Sequence, residues 1–307
     1  MSNVQYAKAQ FFARAVRQKN GGVVVIQPRD VFIDEIYEAA KRDSNIMFLA
    51  ADFGSPSLDK FRADIPSQFV HCGISEQGMI NVAVGLALGG KRVFVYAMSP
   101  FFLRAYEQLK LAAFHHVPIT VVSVGPGLSY AGAGPTHYAT EDIACYRTLV
   151  GAEVYTASTN NLSRALAQAS LASKGMMVAR LERGELPELY DEHYPALDGY
   201  RILKSLNDQP PCVACGYLVH WLKARGKNVV DLYRVKPIST HLIQKLSTYA
   251  FVQTYEEQYA EGGMGAALTE ALNDAGKKTR VIRHTLDERA IYENGTRDQL
   301  LESMNWT

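Results

Sequence analysis

Cysteine is scarce in this chain. Cys72, Cys145, Cys212 and Cys215 are the four in 307 residues, too few and too scattered for a disulfide framework, so a reducing, cytoplasmic setting is expected. Cys212 and Cys215 have CxxC spacing, but they lie in an apolar, strand-like run with no second pair and no nearby histidine pair. They read as small buried strand residues rather than a zinc or redox site. Charge of one sign is equally wanting: 32 Lys and Arg stand against 31 Asp and Glu, a formal net charge of +1. That removes the bulk electrostatic case for nucleic acid or an anionic membrane surface as partner. No apolar run reaches the ~20 residues of a membrane span, and the opening MSNVQYAKAQ has no apolar signal core. A 48% hydrophobic composition is enough for two α/β domains, each with its own core.

The pattern centres on FVHCGISEQGMINVAVGLALGGKRVFVYAM, residues 69–98. A strand-like run from Phe69 stops at Gly73, a helical pattern opens at Ser75 and closes at Gly89-Gly90, and a second strand-like run follows at Val93–Val95. Strand, helix, strand is a right-handed crossover in a parallel sheet. Such sheets bind ligands at the carboxyl ends of their strands, where Glu76 falls. A carboxylate in the first turn of a helix is ordinary as a dipole or capping residue, so Glu76 alone decides nothing.

Taken in order, residues 1–22 predict an amphipathic helical arm ending at Gly21-Gly22. A helix at VFIDEIYEAAKRD, a buried strand at IMFLAAD ending on Asp52, and a turn-rich loop FGSPSLDKFRADIPS lead to the opening strand. Pro100 suits the first turn of a helix through SPFFLRAYEQLKLAAFHHV. The stretch GPGLSYAGAGPTHYATED after the strand PITVVSV has four glycines and two prolines, and so long an irregular segment at a strand end predicts a functional loop. The first domain spans 23–187, residues 188–199 read as a polar linker, and 200–307 repeat the alternation as a smaller second domain. The fold class is therefore α/β, two domains, each a mostly parallel sheet flanked by helices.

Several separate motifs, GISEQGM, GLALGGKRVFVY, SPFFLRAYEQ, GAGPTHYATEDIA, RGELPEL, VDLYRVKPI and EEQYAEGGMG, resemble in order and spacing the carboxyl-terminal half of the transketolase family: its pyrimidine-binding and carboxyl-terminal domains. The resemblance implies a transferase using thiamine diphosphate. Glu76 would be the carboxyl group that bonds the aminopyrimidine and helps the cofactor deprotonate itself, a general acid–base role typically worth ~10²–10⁴-fold. Phe101 falls where the family sets an aromatic against the pyrimidine, and Asp52 is a further cofactor contact. His137 matches a catalytic, substrate-contacting histidine. Arg29 and Arg183 match arginines that hold a sugar phosphate, a task for a guanidinium, and Arg104 stands where deoxyxylulose-phosphate synthases carry an arginine. The family's phosphate-binding serine falls within Ser55–Ser57 without a single match.

The departures bear on specificity. Ala133 replaces an acid before Gly-Pro-Thr-His, and Gly125 replaces another substrate-contacting histidine, so the site is either smaller and less polar or completed by a different residue. The GDG…N pattern that holds Mg²⁺ (or Ca²⁺) and the diphosphate in these enzymes does not occur here, and no metal ligand is expected in this chain. A separate amino-terminal subunit carrying GDG…N is therefore expected as partner in a heterotetramer, active only together, with a two-carbon ketol unit moving from a phosphorylated ketose to an aldose. The neighbouring alternatives are a 2-oxo acid dehydrogenase β subunit, a pyruvate-decarboxylating carboligase of the deoxyxylulose-phosphate synthase kind, and a non-catalytic subunit that keeps the fold.

Overall fold

Short apolar runs with no polar interruption suit strands covered on both faces. The computed structural model describes residues 17–19, 22–24, 27–51, 54–189, 197–203 and 209–306. In chain order, β1 (Arg17–Lys19) and β2 (Gly22–Val24) form an antiparallel ribbon, followed by α1 (Pro28–Ala40), β3 (Ile46–Ala50), α2 (Leu58–Asp64), β4 (Phe69–His71), α3 (Glu76–Leu88) and β5 (Arg92–Met98). Then come α4 (Ser99–Phe102), α5 (Tyr106–Phe114), β6 (Ile119–Val124), α6 (Asp142–Arg147), β7 (Glu153–Thr156), α7 (Asn160–Ala172) and β8 (Met177–Leu181). The remainder holds β9 (Arg201–Ile202), β10 (Cys212–Ala214), α8 (Tyr217–Ala224), β11 (Val229–Asp231), β12 (Arg234–Lys236), α9 (Thr240–Leu246), β13 (Phe251–Tyr255), α10 (Met264–Asp274), β14 (Arg280–His284), α11 (Arg289–Tyr292) and α12 (Arg297–Ser303).

The strands form a seven-stranded sheet of order β12-β7-β8-β6-β5-β3-β4 and a five-stranded sheet of order β14-β13-β10-β11-β9. Both are parallel except at one edge, where β12 runs antiparallel to β7 and β9 antiparallel to β11. Alternation along the strands divides the first core into two layers. Phe48 and Phe94, paired in register and stacked at 6.2 Å, face α1 and α7 through Phe32, Ile36, Leu162 and Leu166. Leu49 and Val95 face the other way, onto Met79, Ile80 and Ala83 of α3 and Leu109 of α5. The carboxyl ends of β3, β5, β6 and β8 thus share one rim of the sheet.

Several local expectations are corrected. The described residues of the expected helical arm, 17–19 and 22, are strand, and residues 1–16, 20 and 21 lie outside the described residues. The turn-rich loop holds the helix α2, whose Leu58 and Phe61 are buried. The run CVACGYLV is not one strand: Gly216 adopts φ 60°, a left-handed turn suited to glycine, and Tyr217 onward is helical. The helix expected over residues 99–117 is broken by a 3-10 turn at Leu103–Ala105. Finally, β12 lies beyond the expected linker in sequence, yet it pairs with β7 of the first sheet, Arg234 opposite Tyr155.

Candidate active site

The first residue of α3 is Glu76. Its side chain is only 5% exposed, and among the described residues its carboxylate makes no hydrogen bond. With no hydrogen-bond partner among the described residues, this carboxyl group is available to a ligand. It therefore suits a ligand that shares a proton with this carboxyl group, as a basic ring nitrogen does. Asp52 lies outside the described residues.

Phe101 rides on α4, which starts at the end of β5 with Pro100 in its first turn. Its position is fixed from below: the buried Ser99 hydroxyl bonds that of Ser123 on β6 at 2.7 Å, and Ser123 bonds the Tyr146 hydroxyl at 2.9 Å. Above it, the His137 ring lies 5.9 Å from the Phe101 ring, edge to face, and the Arg104 guanidinium sits 5.6 Å from the same ring. His137 ends a 3-10 turn that opens at Pro135, and Thr136 Oγ1 lies 2.9 Å from its Nδ1. The glycine-rich loop is pinned where it leaves β6: Gly127 and Ala139 exchange backbone hydrogen bonds of 3.2 and 2.9 Å.

The arginines converge from distant parts of the chain. Arg29 is in the first turn of α1, and its backbone N–H donates to the carbonyl of Glu182 at 3.3 Å, which sets it beside Arg183. Its guanidinium bonds both oxygens of Asp30, at 3.0 and 3.3 Å, and the Ser55 hydroxyl donates to Asp30 at 2.7 Å. Ser55 rather than Ser57 is thus the serine that joins this group. Burial works against the charge of Arg29, but Tyr96, Asp30 and Tyr130 around it hold its pKa above the usual value. Arg183 lies with its guanidinium 4.5 Å over the Tyr130 ring. Phe101, His137, Arg104, Arg183 and Arg29 are therefore brought together along one rim, as the strand ends predict.

The residue that links them is one that sequence reasoning passed over. Tyr130 is buried, 6.2 Å from the His137 ring and against both Arg183 and Arg29. At Gly125 the backbone has φ 78°, and a Cβ there would overlap the Tyr130 ring. The space over Gly125 is filled by Tyr130. Burial pushes the Tyr130 phenol up, with Arg183 and then Arg29 opposing the shift.

A second unforeseen group backs the rim. Arg297 of α12 donates to Glu182 at 2.8 and 3.0 Å and to Glu257 at 2.6 Å, with a further close ion pair to Glu257. Ser129 donates to Glu182 at 2.7 Å. Glu257 stands 2.6 Å from where a Cβ on Gly127 would lie, so glycine lets the loop lie against the second domain. The only hints in sequence are the doubled glutamates of EEQYAEGGMG and a lone Arg in RDQLLESM. An open cavity of about 520 Å³ is lined by Ser129, Tyr130, Ala133, Glu182, Arg183 and Arg297 among others. Among the described residues no group of His, Cys, Asp or Glu is arranged to hold a metal, and Cys212 and Cys215 are free thiols.

A family model described as the transketolase pyrimidine binding domain matches residues 24–188, and one described as the transketolase C-terminal domain matches residues 222–307. One subunit of the apulose-4-phosphate transketolase of Phocaeicola vulgatus is 29% identical over 285 residues, 88% of this chain and 91% of its own length. Transketolase of Homo sapiens is 28% identical over 226 residues, 69% of this chain but 36% of that protein. Among solved structures, a split-gene transketolase described as an inactive beta4 tetramer has a TM-score of 0.78 at 25% identity, over 92% of this chain and 94% of its own. Campylobacter jejuni transketolase shares the fold, with a TM-score of 0.74 at 16% identity over 97% of this chain and 49% of its own. The chain thus spans less than half of these full-length transketolases.

Proposed function

Because the chain belongs to the transketolase family, we propose that it is the pyrimidine-binding subunit of a split, thiamine diphosphate-dependent transketolase. It transfers a two-carbon ketol unit from a phosphorylated ketose to an aldose. The observation that carries this reading is the rim itself: a buried Glu76, with no hydrogen-bond partner among the described residues, on the same sheet edge as a row running Arg104, Phe101, His137, Tyr130, Arg183. A family fold alone is compatible with many activities; the row of residue types is what suits this one. Support for a split enzyme comes from matches over nearly the full length of a transketolase subunit and of a split-gene transketolase chain.

When bound, thiamine diphosphate supplies the nucleophile and electron sink for breaking and forming the carbon–carbon bond. Glu76 holds or moves a proton at the aminopyrimidine nitrogen, and Phe101 offers that ring an aromatic face. His137 bonds the substrate oxygen next to the reacting carbon. Arg29, supported by Asp30 and Ser55, and Arg183 hold the phosphate, with Arg104 as an outer anion contact. Ala133, exposed and lining the cavity, offers a sugar hydroxyl no acid, which favours short acceptors. The partner subunit carries GDG…N and with it Mg²⁺ and the diphosphate, the two chains assemble as a heterotetramer, and the free thiols fit a cytoplasmic site.

The test is reconstitution with a diphosphate-binding transketolase subunit and an assay of ketol transfer between sugar phosphates. Glu76→Gln is expected to lower kcat by ~10²–10⁴ while leaving assembly intact. Unchanged turnover would remove Glu76 from the chemistry. Reductive acetylation of a lipoyl domain, or carbon dioxide release from pyruvate, would overturn the choice of reaction.

A further inference from the structure

Tyr130 is packed between the glycine-rich loop and the arginines of the rim. The residue is 9% exposed. One edge of its ring fills the space above Gly125, where any Cβ would overlap it. One side meets His137 at 6.2 Å, and the guanidinium of Arg183 lies 4.5 Å over the ring. Arg183 is itself exposed, and among the described residues no carboxylate forms an ion pair with it; the adjacent acid, Glu182, is taken up by Arg297 and Ser129. A long, solvent-facing arginine loses much of its rotamer freedom when it is fixed, and here Tyr130 does the fixing, through its π face and its hydroxyl. The same phenol stands by Arg29, the second cation of the rim. Tyr130 therefore forms the wall between the reacting end, marked by His137, and the cavity that Arg183 lines.

We propose that Tyr130 is the positioning residue that makes this site selective for a phosphorylated sugar: it stacks Arg183 beside Arg29 at a fixed distance from His137. The inference rests on the transketolase reading above. It implies that selectivity is set by a ring in the glycine-rich loop, and that Gly125 is small because that ring needs its space.

The experiment uses the reconstituted pair with ribose 5-phosphate and ribose as alternative acceptors. The wild-type pair is expected to prefer the phosphorylated acceptor. Tyr130→Ala should raise KM for ribose 5-phosphate about tenfold, the scale of a lost cation–π contact, with a much smaller change for ribose and with the loss in KM rather than kcat. Tyr130→Phe, which keeps the ring and loses the hydroxyl, should fall between wild type and Tyr130→Ala. In an Arg183→Ala background, Tyr130→Ala should add little, because the group it positions is gone. Should Tyr130→Ala not fold, Tyr130→Leu fills volume without a π face and carries the same expectation. Equal losses for both acceptors, additivity with Arg183→Ala, or an undiminished preference would overturn the proposal while leaving the ketol-transfer reading in place. Absence of ketol transfer by the wild-type pair would sink that reading first, and this one with it.

Discussion

Single residues set the most severe energetic terms in this molecule, and most of them are charges out of water. Arg297 closes a buried group with Glu182 and Glu257, where removing one partner strands the others. Arg297→Met is expected to cost ~3–5 kcal/mol, the usual penalty for breaking a buried ion pair from one side, read as a lowered urea midpoint with an unchanged slope. Glu256 is a different case. It is 1% exposed, and burial pushes its pKa up to about 7 from 4.5, although the N–H groups of Gly265 and Met264 at the start of α10 pull the other way. The carboxylate fits there because Gly263 and Gly265 carry no Cβ. A raised pKa means that the folded state keeps a proton the unfolded chain has lost. Glu256 therefore costs stability progressively as pH rises from about 4.5 to about 7. Glu256→Gln should match wild type near pH 4 and be the more stable by up to about 3 kcal/mol near pH 8. Urea unfolding across that range checks it, and parallel curves for the two proteins would refute it. None of these pairings was legible in the chain, because Glu182, Glu257 and Arg297 are far apart in sequence and meet only through the docking of the two sheets.

At the scale of elements, local chemistry was a good guide where it was self-sufficient. The helix α7 forms where its pattern predicts, although the cap is Thr159, which accepts a hydrogen bond from the N–H of Leu162 at 3.0 Å, rather than the asparagine expected there, and the glycine-rich end of α3 follows its apolar pattern. Thr159→Ala is expected to cost about 1 kcal/mol, the worth of a lost N-cap, measured by thermal or urea unfolding. Where an element depends on its neighbours, local pattern and structure differ. The helix α2 hides in a turn-rich stretch because only burial of Leu58 and Phe61 justifies it. The strand expected through Cys212–Val219 ends early because Gly216 turns the chain, and the apolar residues Leu218, Val219 and Leu222 beyond it serve the inner face of α8 instead. An apolar run reports burial, and both strand and helix satisfy it.

On the scale of the whole molecule, α3 carries Glu76 at one end and exposed apolar side chains along its outer face: Val82 is 47% and Leu88 61% exposed, with Ile74 before it at 75%. Apolar surface of this kind on the helix of the proposed cofactor acid suits contact with the proposed diphosphate-binding subunit. Val82→Glu should leave the melting temperature of the isolated chain nearly unchanged and weaken association with that subunit at least about tenfold, measured by sedimentation or titration of activity. An undiminished affinity would remove this face from the assembly. The sequence by itself determined the α/β class, the alternation of strand and helix, the family, and the residue types at the rim: Glu76 at a helix start, Phe101 behind Pro100, His137 in a glycine-proline loop. These follow from short-range causes, since periodicity, capping and turn chemistry act within a few residues of chain. Tertiary structure alone decided that β12 completes the first sheet, that Ser55 is the serine beside Arg29, that Arg297 ties the second domain to Glu182, and that Tyr130 fills the space over Gly125. Each of these joins residues brought together only by packing, and packing distances are not written in the spacing of a chain.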